Sequence, residues 1–271
     1  MRTNKSTILL AGVTLLLSML ACNIGRSPDP FEPIPPTVSH GLTESALTPE
    51  VPATEAPANL IAGVCANPYS PVIVGATWNY KIIGPISDTY THSILSVEEN
   101  GFTEQDVFGT GVTRQGKWKC EDGNLIALDP SNGSSSNVSA EGVSVDFQTT
   151  ELSGVTIPKG INTGDTWTQT LTLEGTETIN DMQIPAKNQL TSTCKAVGVE
   201  SVTVEAGTFD AMKVECQTVM NLSLTIQDNV NQTTLTLNGT SWYVEKIGLV
   251  KTVSVGEGLD NTVELVSYSI P

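Results

Sequence analysis

The sequence predicts an all-β protein, an antiparallel meander that curls into a curved sheet or half-barrel. Three observations lead to this fold class. Apolar residues alternate with polar ones over long stretches, which is the pattern of a strand with one buried face. Clusters of Gly, Asn and Asp separate these stretches and mark turns. No window of 11 or more residues beyond residue 62 carries an apolar stripe at helical spacing.

The longest predicted strand runs from Phe209 to Ile226 and follows a turn at residues 205–207. Its buried face consists of Met212, Val214, Cys216, Thr218, Met220, Leu222, Leu224 and Ile226. A straight strand of this length would span about 60 Å. Because that exceeds the width of a small domain, we expect the strand to bend, to carry a bulge or to coil around a barrel-like sheet.

The other predicted strands are shorter. In chain order they lie at Gly75–Tyr80, Ile94–Val97, Val107–Val112, Gly116–Cys120, Leu125–Leu128 and Val143–Phe147. Asn100-Gly101 predicts a hairpin turn after the second of them. Residues 131–139 are predicted to form a loop, and a last β run at 242–251 contains Gly248.

Two short patterns recur within the chain. Gly-x-Thr-Trp occurs at residues 75–78 and again at 164–167, and Trp-x-x-Glu leading to Gly and Leu occurs at 118–125 and at 242–249. We interpret these repeats as the start and the end of two divergent meander halves. The halves would cover about residues 63–158 and 159–271. Coincidence within a β protein rich in Thr and Gly is the alternative.

The first 22 residues predict export and lipid anchoring. Arg2 and Lys5 precede an apolar run at residues 8–21, which is typical of a secretory signal and too short for a comfortable membrane span. The run ends Leu-Ser-Met-Leu-Ala-Cys22, which resembles a bacterial lipobox. The resemblance implies a lipoprotein signal at residues 1–22 with a lipidated Cys22, and therefore an extracytoplasmic protein anchored to a membrane of the cell envelope. An ordinary secretory signal with an incidental cysteine is the alternative.

Residues 23–62 predict a disordered tether between the anchor and the β domain at 63–271. Eight prolines lie in this segment among Ser, Thr and Glu. Such a composition buries too little apolar surface to offset the entropy of ordering the chain. Proline keeps the segment extended, so at roughly 3 Å per residue it could reach about 120 Å. A Pro-rich motif for a partner protein is the alternative.

Four cysteines follow Cys22, and an even number in an exported chain predicts two disulfides. Three pairings are possible. A hairpin folded about the turn at 205–207 places residue 194 opposite about residue 216. That register predicts a Cys194–Cys216 bridge and leaves Cys65 to pair with Cys120.

The charge of the chain restricts its partners. Two of the 13 Lys and Arg residues lie in the signal, so the mature chain carries 11 basic and 29 acidic residues, a net charge of −18. This charge repels nucleic acid and anionic lipid headgroups. The expected partners are the membrane through the lipid anchor and an apolar ligand or another envelope protein.

Two stretches carry a family resemblance. Residues 202–214 read Val-Thr-Val-Glu-Ala-Gly-Thr-Phe-Asp-Ala-Met-Lys-Val, and residues 242–251 read Trp-Tyr-Val-Glu-Lys-Ile-Gly-Leu-Val-Lys. They resemble a family of uncharacterised bacterial exported proteins that is related to the Lol-type lipoprotein carriers and receptors. In those proteins an incomplete β-barrel holds acyl chains against a concave face. The resemblance covers mainly residues 160–255 and implies an uncharacterised envelope lipoprotein on a half-barrel.

The buried face of the long strand is the candidate apolar ligand surface. Its members are Met212, Val214, Met220, Leu222 and Leu224. No segment of the sequence forms an amphipathic helix that could cover them, so the cover is either a second layer of strands or a bound apolar ligand. The two methionines suit an adaptable surface, because Met packs against varied shapes.

No catalytic, metal-binding or cofactor-binding residue is predicted. The chain lacks Gly-x-Ser-x-Gly and C-x-x-C patterns, and of its two histidines His40 lies in the tether and His92 is predicted at the surface. We therefore expect a non-catalytic binding or assembly module. A purely structural envelope protein is the main alternative, followed by a lipid or lipoprotein carrier and by a hydrolase.

The anchor can be tested by changing Cys22→Ala. Because the lipobox resemblance makes this thiol the site of lipidation, we expect the variant to move from the detergent phase to the aqueous phase in phase partitioning. Mass spectrometry of the wild-type protein should show the acyl chains. A wild-type protein that is unacylated and aqueous would show that the lipoprotein interpretation is wrong.

Overall fold

The computed structural model of the chain describes residues 63–85, 87–111, 113–128, 137–140, 143–179, 182–226, 229–256 and 260–271. Within these residues all regular structure is β, and 13 strands form one antiparallel sheet. The strands are β1 (Thr77–Ile83), β2 (Asp88–Glu98), β3 (Gly101–Phe108), β4 (Thr113–Glu121), β5 (Asn124–Ala127), β6 (Asn137–Ala140), β7 (Val143–Gly154), β8 (Thr166–Ile179), β9 (Met182–Val204), β10 (Gly207–Ile226), β11 (Asn229–Val244), β12 (Gly248–Val255) and β13 (Asn261–Ser269). The predicted all-β meander is confirmed. The predicted signal, Cys22 and the tether lie outside the described residues.

The sheet bends until its two ends approach one another. Its order is β5-β4-β3-β2-β1-β13-β12-β11-β10-β9-β8-β7-β6, so β13 joins the first strand to the later ones. Strand β5 forms one end of the sheet, and it meets the segment that follows β7 near the other end. The Leu125 amide donates to the Ile157 carbonyl at 2.9 Å, and the Ile157 amide donates back to Leu125 at 3.0 Å. The result is a nearly closed barrel, which protects edge strands from pairing elsewhere.

The segment before β1 closes one end of this barrel. Residues Cys65, Tyr69, Val72, Ile73 and Ala76 all belong to the main core. Cys65 is bonded to Cys120 of β4. The buried Asn67 amide nitrogen donates to the carbonyls of Gly123 at 2.8 Å and Pro158 at 3.0 Å. This side chain therefore links the segment before β1 to the β4–β5 turn and to the segment after β7.

The two recurring patterns occupy equivalent places in the sheet. Gly75 and Gly164, with φ of +86° and +95°, precede β1 and β8. The second pattern ends β4 and β11 and continues through a turn into β5 and β12. Strands β1–β5 and β8–β12 are therefore two five-strand meanders in the same order, on either side of β13. The division into two divergent halves at about residues 63–158 and 159–271 stays a prediction.

The long strands β9 and β10 form a hairpin with the predicted register. Cys194 lies opposite Cys216, and the two are joined by a disulfide. A bulge interrupts the pairing next to Val214. Extra residues on one strand of a pair bend it and increase its twist, which is how a strand of this length follows a curved sheet.

Three sequence-based boundaries are wrong. The strand predicted at 107–112 ends at Phe108, because Gly109 to Gly111 form a turn in which Gly111 has φ of +87°. The run at 242–251 is two strands, because Lys246 and Gly248 adopt φ of 65° and 102° and reverse the chain. Strand β6 falls partly inside the loop predicted at 131–139.

Gly154 is a position where a side chain should not fit. It ends β7 with φ of +80°, and an added Cβ would overlap the carbonyl oxygen of Thr168 on β8. We expect Gly154→Ala to lower the free energy of unfolding by about 2 to 4 kcal/mol, through backbone strain and the displaced strand. Thermal unfolding followed by circular dichroism measures the loss.

Gly160→Ala is the control, since no heavy atom lies within 4 Å of a Cβ at that position. It should change stability by less than about 1 kcal/mol. Equal melting temperatures for the two variants would contradict the close approach of β7 and β8.

Candidate functional site

The structure divides the predicted apolar face into separate clusters. Met212 and Val214 lie in the main core, which we call the barrel core and which also contains Trp78 and Trp118. The other three residues lie farther along β10, where they join a second apolar surface. This surface, the distal face, consists of Phe147, Leu173, Ile184, Ala186, Leu190, Met220, Leu222, Leu224, Ile226, Leu235 and Leu237. The five predicted residues are all buried, but they do not form one site.

The distal face is one side of a single sheet. All its described members lie on β7–β11, and side chains such as Leu173, Met220 and Leu224 are only 2%, 3% and 6% exposed, so the face is covered. In one row across the sheet Phe147, Gly175, Ala186 and Leu224 are neighbours.

Two polar side chains lie within this apolar surface. Glu177 is 1% exposed and Asn188 is 3% exposed. Among the described residues, neither the two carboxylate oxygens of Glu177 nor the Asn188 amide oxygen has a hydrogen-bond partner. Burial raises the pKa of Glu177 to about 7, because the charged form loses its hydration. Buried acceptors without partners are costly, so such groups often mark functional positions.

A second group of polar side chains faces the barrel interior on β2–β4. We call His92, Glu104, Asp106 and Arg114 the ionic cluster. His92 Nδ1 lies 2.8 Å from Asp106 Oδ1, and its Nε2 lies 3.6 Å from Glu104 Oε2. Arg114 donates to the second Asp106 oxygen at 2.7 Å. Asp106 therefore bridges two cations.

Aromatic rings surround the ionic cluster. The Trp78 ring lies 5.4 Å from that of His92, and the Arg114 guanidinium lies 4.9 Å from the centre of the Phe108 ring. Tyr90 stacks on Phe108 at 5.2 Å and on Tyr80 at 5.0 Å. The rings exclude water and strengthen the ion pairs by lowering the local dielectric.

The pKa values of the cluster reflect this environment. Burial opposes the charging of His92, but the Glu104 and Asp106 carboxylates outweigh it and raise its pKa. Burial raises the pKa of Glu104 to about 7 despite the nearby His92. Burial also opposes ionisation of Asp106, yet the His92 hydrogen bond and Arg114 lower its pKa. The cluster thus holds a charged Asp106 and can take up or release protons near neutral pH.

The surface position predicted for His92 is wrong, since its side chain is 22% exposed and faces the core. A signal for the cluster is present in the sequence. Glu104 and Asp106 alternate in phase with Phe102 and Phe108, and all four side chains share the inner face of β3. Side chains at every second position of a strand share one face, so acidic residues in phase with buried aromatic residues are predicted to be buried. The alternation in the sequence was therefore enough to predict the burial of Glu104 and Asp106.

Neither group of polar residues resembles a metal site. Among the described residues no cluster of three or more His, Cys, Asp or Glu side chains could hold a metal ion. All four described cysteines are in disulfides. The part of the chain that the structure describes contains no helix long and apolar enough to cross a membrane.

Comparison with known sequences identifies the family. The sequence profile described as DUF3108-like matches residues 102–270, which is more than half of the chain. The chain belongs to the DUF3108-like family. The match includes the stretch at 160–255 on which the family resemblance was based. No curated protein sequence matches the chain.

Several solved structures are similar to this chain at low sequence identity. A protein from Bacteroides fragilis that is described as exported and as having a YmcC-like fold has 16% identity and a TM-score of 0.47, covering 74% of this chain and 99% of its own. A protein from Parabacteroides distasonis that is described as a lipoprotein has 17% identity and a TM-score of 0.48, covering 75% and 99%. The hypothetical lipoprotein YmcC from Escherichia coli has 12% identity and a TM-score of 0.32, covering 77% and 88%.

The ionic cluster predicts that stability falls as the pH rises from about 5 to 8. Folded Glu104 keeps its proton up to about pH 7, whereas the unfolded carboxyl has lost it above 4.5, so stability decreases between these values. His92 has an effect of the same sign. Its protonated form stabilises the folded protein below pH 6.5, and this stabilisation is lost as the pH rises through the raised pKa of His92 in the folded protein. Buried Glu177 also contributes in this direction. Asp106, whose pKa is lowered, affects stability only at more acidic pH.

Glu104→Gln should flatten this pH dependence of the melting temperature. A pKa that moves from 4.5 to about 7 corresponds to roughly 3 kcal/mol, which is the largest change expected. The exposed Glu98, changed to Gln, is the control and should leave the slope intact. A slope that is unchanged in Glu104→Gln would show that Glu104 is ionised in the folded protein throughout this range.

Proposed function

We propose that this protein is a lipid-anchored, extracytoplasmic module of the bacterial envelope that binds an apolar ligand and performs no catalysis. The anchor is Cys22, and residues 23–62 hold the β domain away from the membrane. The binding surface is the distal face. This proposal includes Met220, Leu222 and Leu224 from the predicted ligand surface and assigns Met212 and Val214 to the barrel core.

Two features support the extracytoplasmic location. The lipobox-like sequence before Cys22 is a signal for export and lipidation. The β domain contains two disulfides, and such bonds persist in oxidising compartments outside the cytoplasm.

The distal face is the observation on which the binding role depends. In the barrel, residues from many strands and from the segment at 63–76 pack against one another and fill the interior. On the distal face, by contrast, all described members come from five neighbouring strands of one sheet layer. An apolar surface with a few convergent polar groups is typical of a ligand site.

A carrier for lipid or lipoprotein is the narrower form of this proposal. The Lol-type resemblance of residues 202–214 and 242–251 supports it, since those proteins hold acyl chains on a concave sheet. A purely structural role is the competing function. It requires the distal face to be ordinary core with nothing bound to it.

Native mass spectrometry of the full-length lipidated protein, purified from its own envelope, tests the proposal. We expect a bound small molecule in wild type and its loss in Met220→Asp, because a carboxylate on this buried apolar surface excludes an apolar ligand. The barrel should remain folded. All four tryptophans lie in or against the barrel core, so tryptophan fluorescence reports on that part of the molecule.

Asn221→Asp is the matched control. It adds the same charge one residue away, on the exposed opposite face of β10, where Asn221 accepts a hydrogen bond from Thr234 at 2.8 Å. This variant should keep the ligand. If wild type carries no ligand and Met220→Asp unfolds the barrel as well, the distal face is core and the binding role is wrong.

A further inference from the structure

A small cavity lies on the outer side of β1–β3, across the barrel wall from the ionic cluster. Its volume is about 320 Å³, which is at the lower end of the range for small-molecule sites. The lining positions on its outer side are Asn79, Thr89, Thr91, Val107 and Gly109, joined by Val266 of β13. They alternate along the strands with residues whose side chains pack inside the barrel.

The strand register brings the lining side chains together. Asn79 lies directly opposite Thr91, which lies opposite Val107 on the next strand. Val266 is the extra residue at the position where the pairing of β13 with β1 shifts. Bulges of this kind are common next to functional sites, because the extra residue redirects a side chain. Two apolar side chains therefore flank a pair of polar ones.

The wall behind the cavity is rigid. On the inner side of the same strands Tyr80, Tyr90 and Phe108 stack on one another, and Arg114 lies over the Phe108 ring. Tyr80 and Phe108 are only 5% and 3% exposed. Because packing holds these rings in place, the side chains that alternate with them are held at fixed positions as well.

The polar lining residues keep hydrogen-bonding capacity for a ligand. Thr91 donates to the Asn79 amide oxygen at 2.8 Å, and the Asn79 nitrogen donates to Ser267 at 3.0 Å. A side-chain amide has two donors and two acceptor lone pairs, so these two bonds use half of that capacity. The Thr89 hydroxyl in the same cavity can donate and accept. A complementary ligand carries groups that do both, as hydroxyl groups do.

From this geometry we propose that the cavity binds one neutral sugar ring, which is either a free sugar or the end unit of a glycan. The hydroxyl groups of the ring contact Asn79, Thr89 and Thr91, and its C–H surface packs against Val107 and Val266. The site is separate from the distal face and does not rest on the apolar binding role.

The charges near the cavity favour a neutral ring over an acidic one. None of the described lining residues carries a charge. The Asp88 carboxylate lies at the rim, where it accepts a hydrogen bond from the Thr89 amide at 2.7 Å. An added Cβ at Gly109 would lie 2.7 Å from the same oxygen, so this carboxylate is close to the cavity. A sugar acid would place a second anion beside it, in a chain whose net charge is already −16.

Three probes with a six-membered ring test the assignment: methyl glucoside, glucuronate and cyclohexanol. Each is titrated into full-length protein in a mild detergent, and binding is read by saturation-transfer difference NMR. We expect methyl glucoside to bind at least about fivefold more tightly than the other two. Thr89→Val removes one hydroxyl and keeps the shape of the side chain, so it should weaken the binding of methyl glucoside about two- to tenfold.

Val107→Phe should fill the cavity and abolish binding. Leu95→Phe is its matched control, because Leu95 is 42% exposed, against 41% for Val107, and is not among the described lining residues. Thr166→Val is the control for Thr89→Val, since Thr166 is an exposed threonine at the start of β8. Both controls should bind methyl glucoside as wild type does. Melting temperatures from circular dichroism should agree among all four variants.

Maltotetraose separates the two sources of the ring. Binding comparable to that of methyl glucoside supports the end of a glycan as the ligand, and its failure to bind supports a free sugar. Binding more than about tenfold tighter would place contacts beyond the cavity and overturn the single-ring assignment.

Other results would overturn the site itself. These are equal binding of the three probes, no binding of methyl glucoside to wild type, and binding that survives Val107→Phe. A loss of binding in Leu95→Phe equal to that in Val107→Phe would also place the sugar elsewhere. The distal face is tested separately through Met220→Asp, so the two proposals can fail independently.

Discussion

A single layer of β-sheet must cover its own apolar face, and the rest of this structure follows from that constraint. With no helices in the described chain, the sheet can bury that face only by curving until opposite strands face each other. The bonds between Leu125 and Ile157 complete the curve, and Asn67 joins the closing segment to it. A Cys65–Cys120 bond fixes that segment covalently. The barrel core exists because these distant parts of the chain meet.

The same constraint separates two kinds of interior. Inside the barrel, opposing strands and the segment at 63–76 fill the space, and the Asp106 carboxylate is paired with both His92 and Arg114. Beyond the barrel, β8–β11 continue as long hairpins with an apolar side, on which Glu177 has no hydrogen-bond partner among the described residues. Pairing offsets part of the cost of burying a charge, whereas a buried charge without a partner favours protonation or a ligand. This contrast makes the distal face the stronger candidate for binding.

Acidic side chains accordingly have different roles at three positions. Asp106 is held ionised between two cations, which supports the barrel wall. Glu104, next to it, is buried with a pKa of about 7 and responds to pH. Glu177 has the same raised pKa because of its burial, and its carboxylate oxygens have no hydrogen-bond partner among the described residues. The chemistry of each carboxyl is decided by what the fold places beside it.

The sequence by itself determined the all-β fold class, several of the strands and the register of one hairpin. Alternation located the long strand, and a turn at 205–207 was enough to predict the Cys194–Cys216 bond, because an antiparallel hairpin has only one register about a given turn. Alternation could also have shown that Glu104 shares a face with Phe102. Only the tertiary structure decided which faces are covered and by what. Met212 and Met220 lie in phase on one strand, yet one packs in the barrel core and the other on the distal face. That difference depends on where the sheet closes, which is set by contacts between residues far apart in the chain.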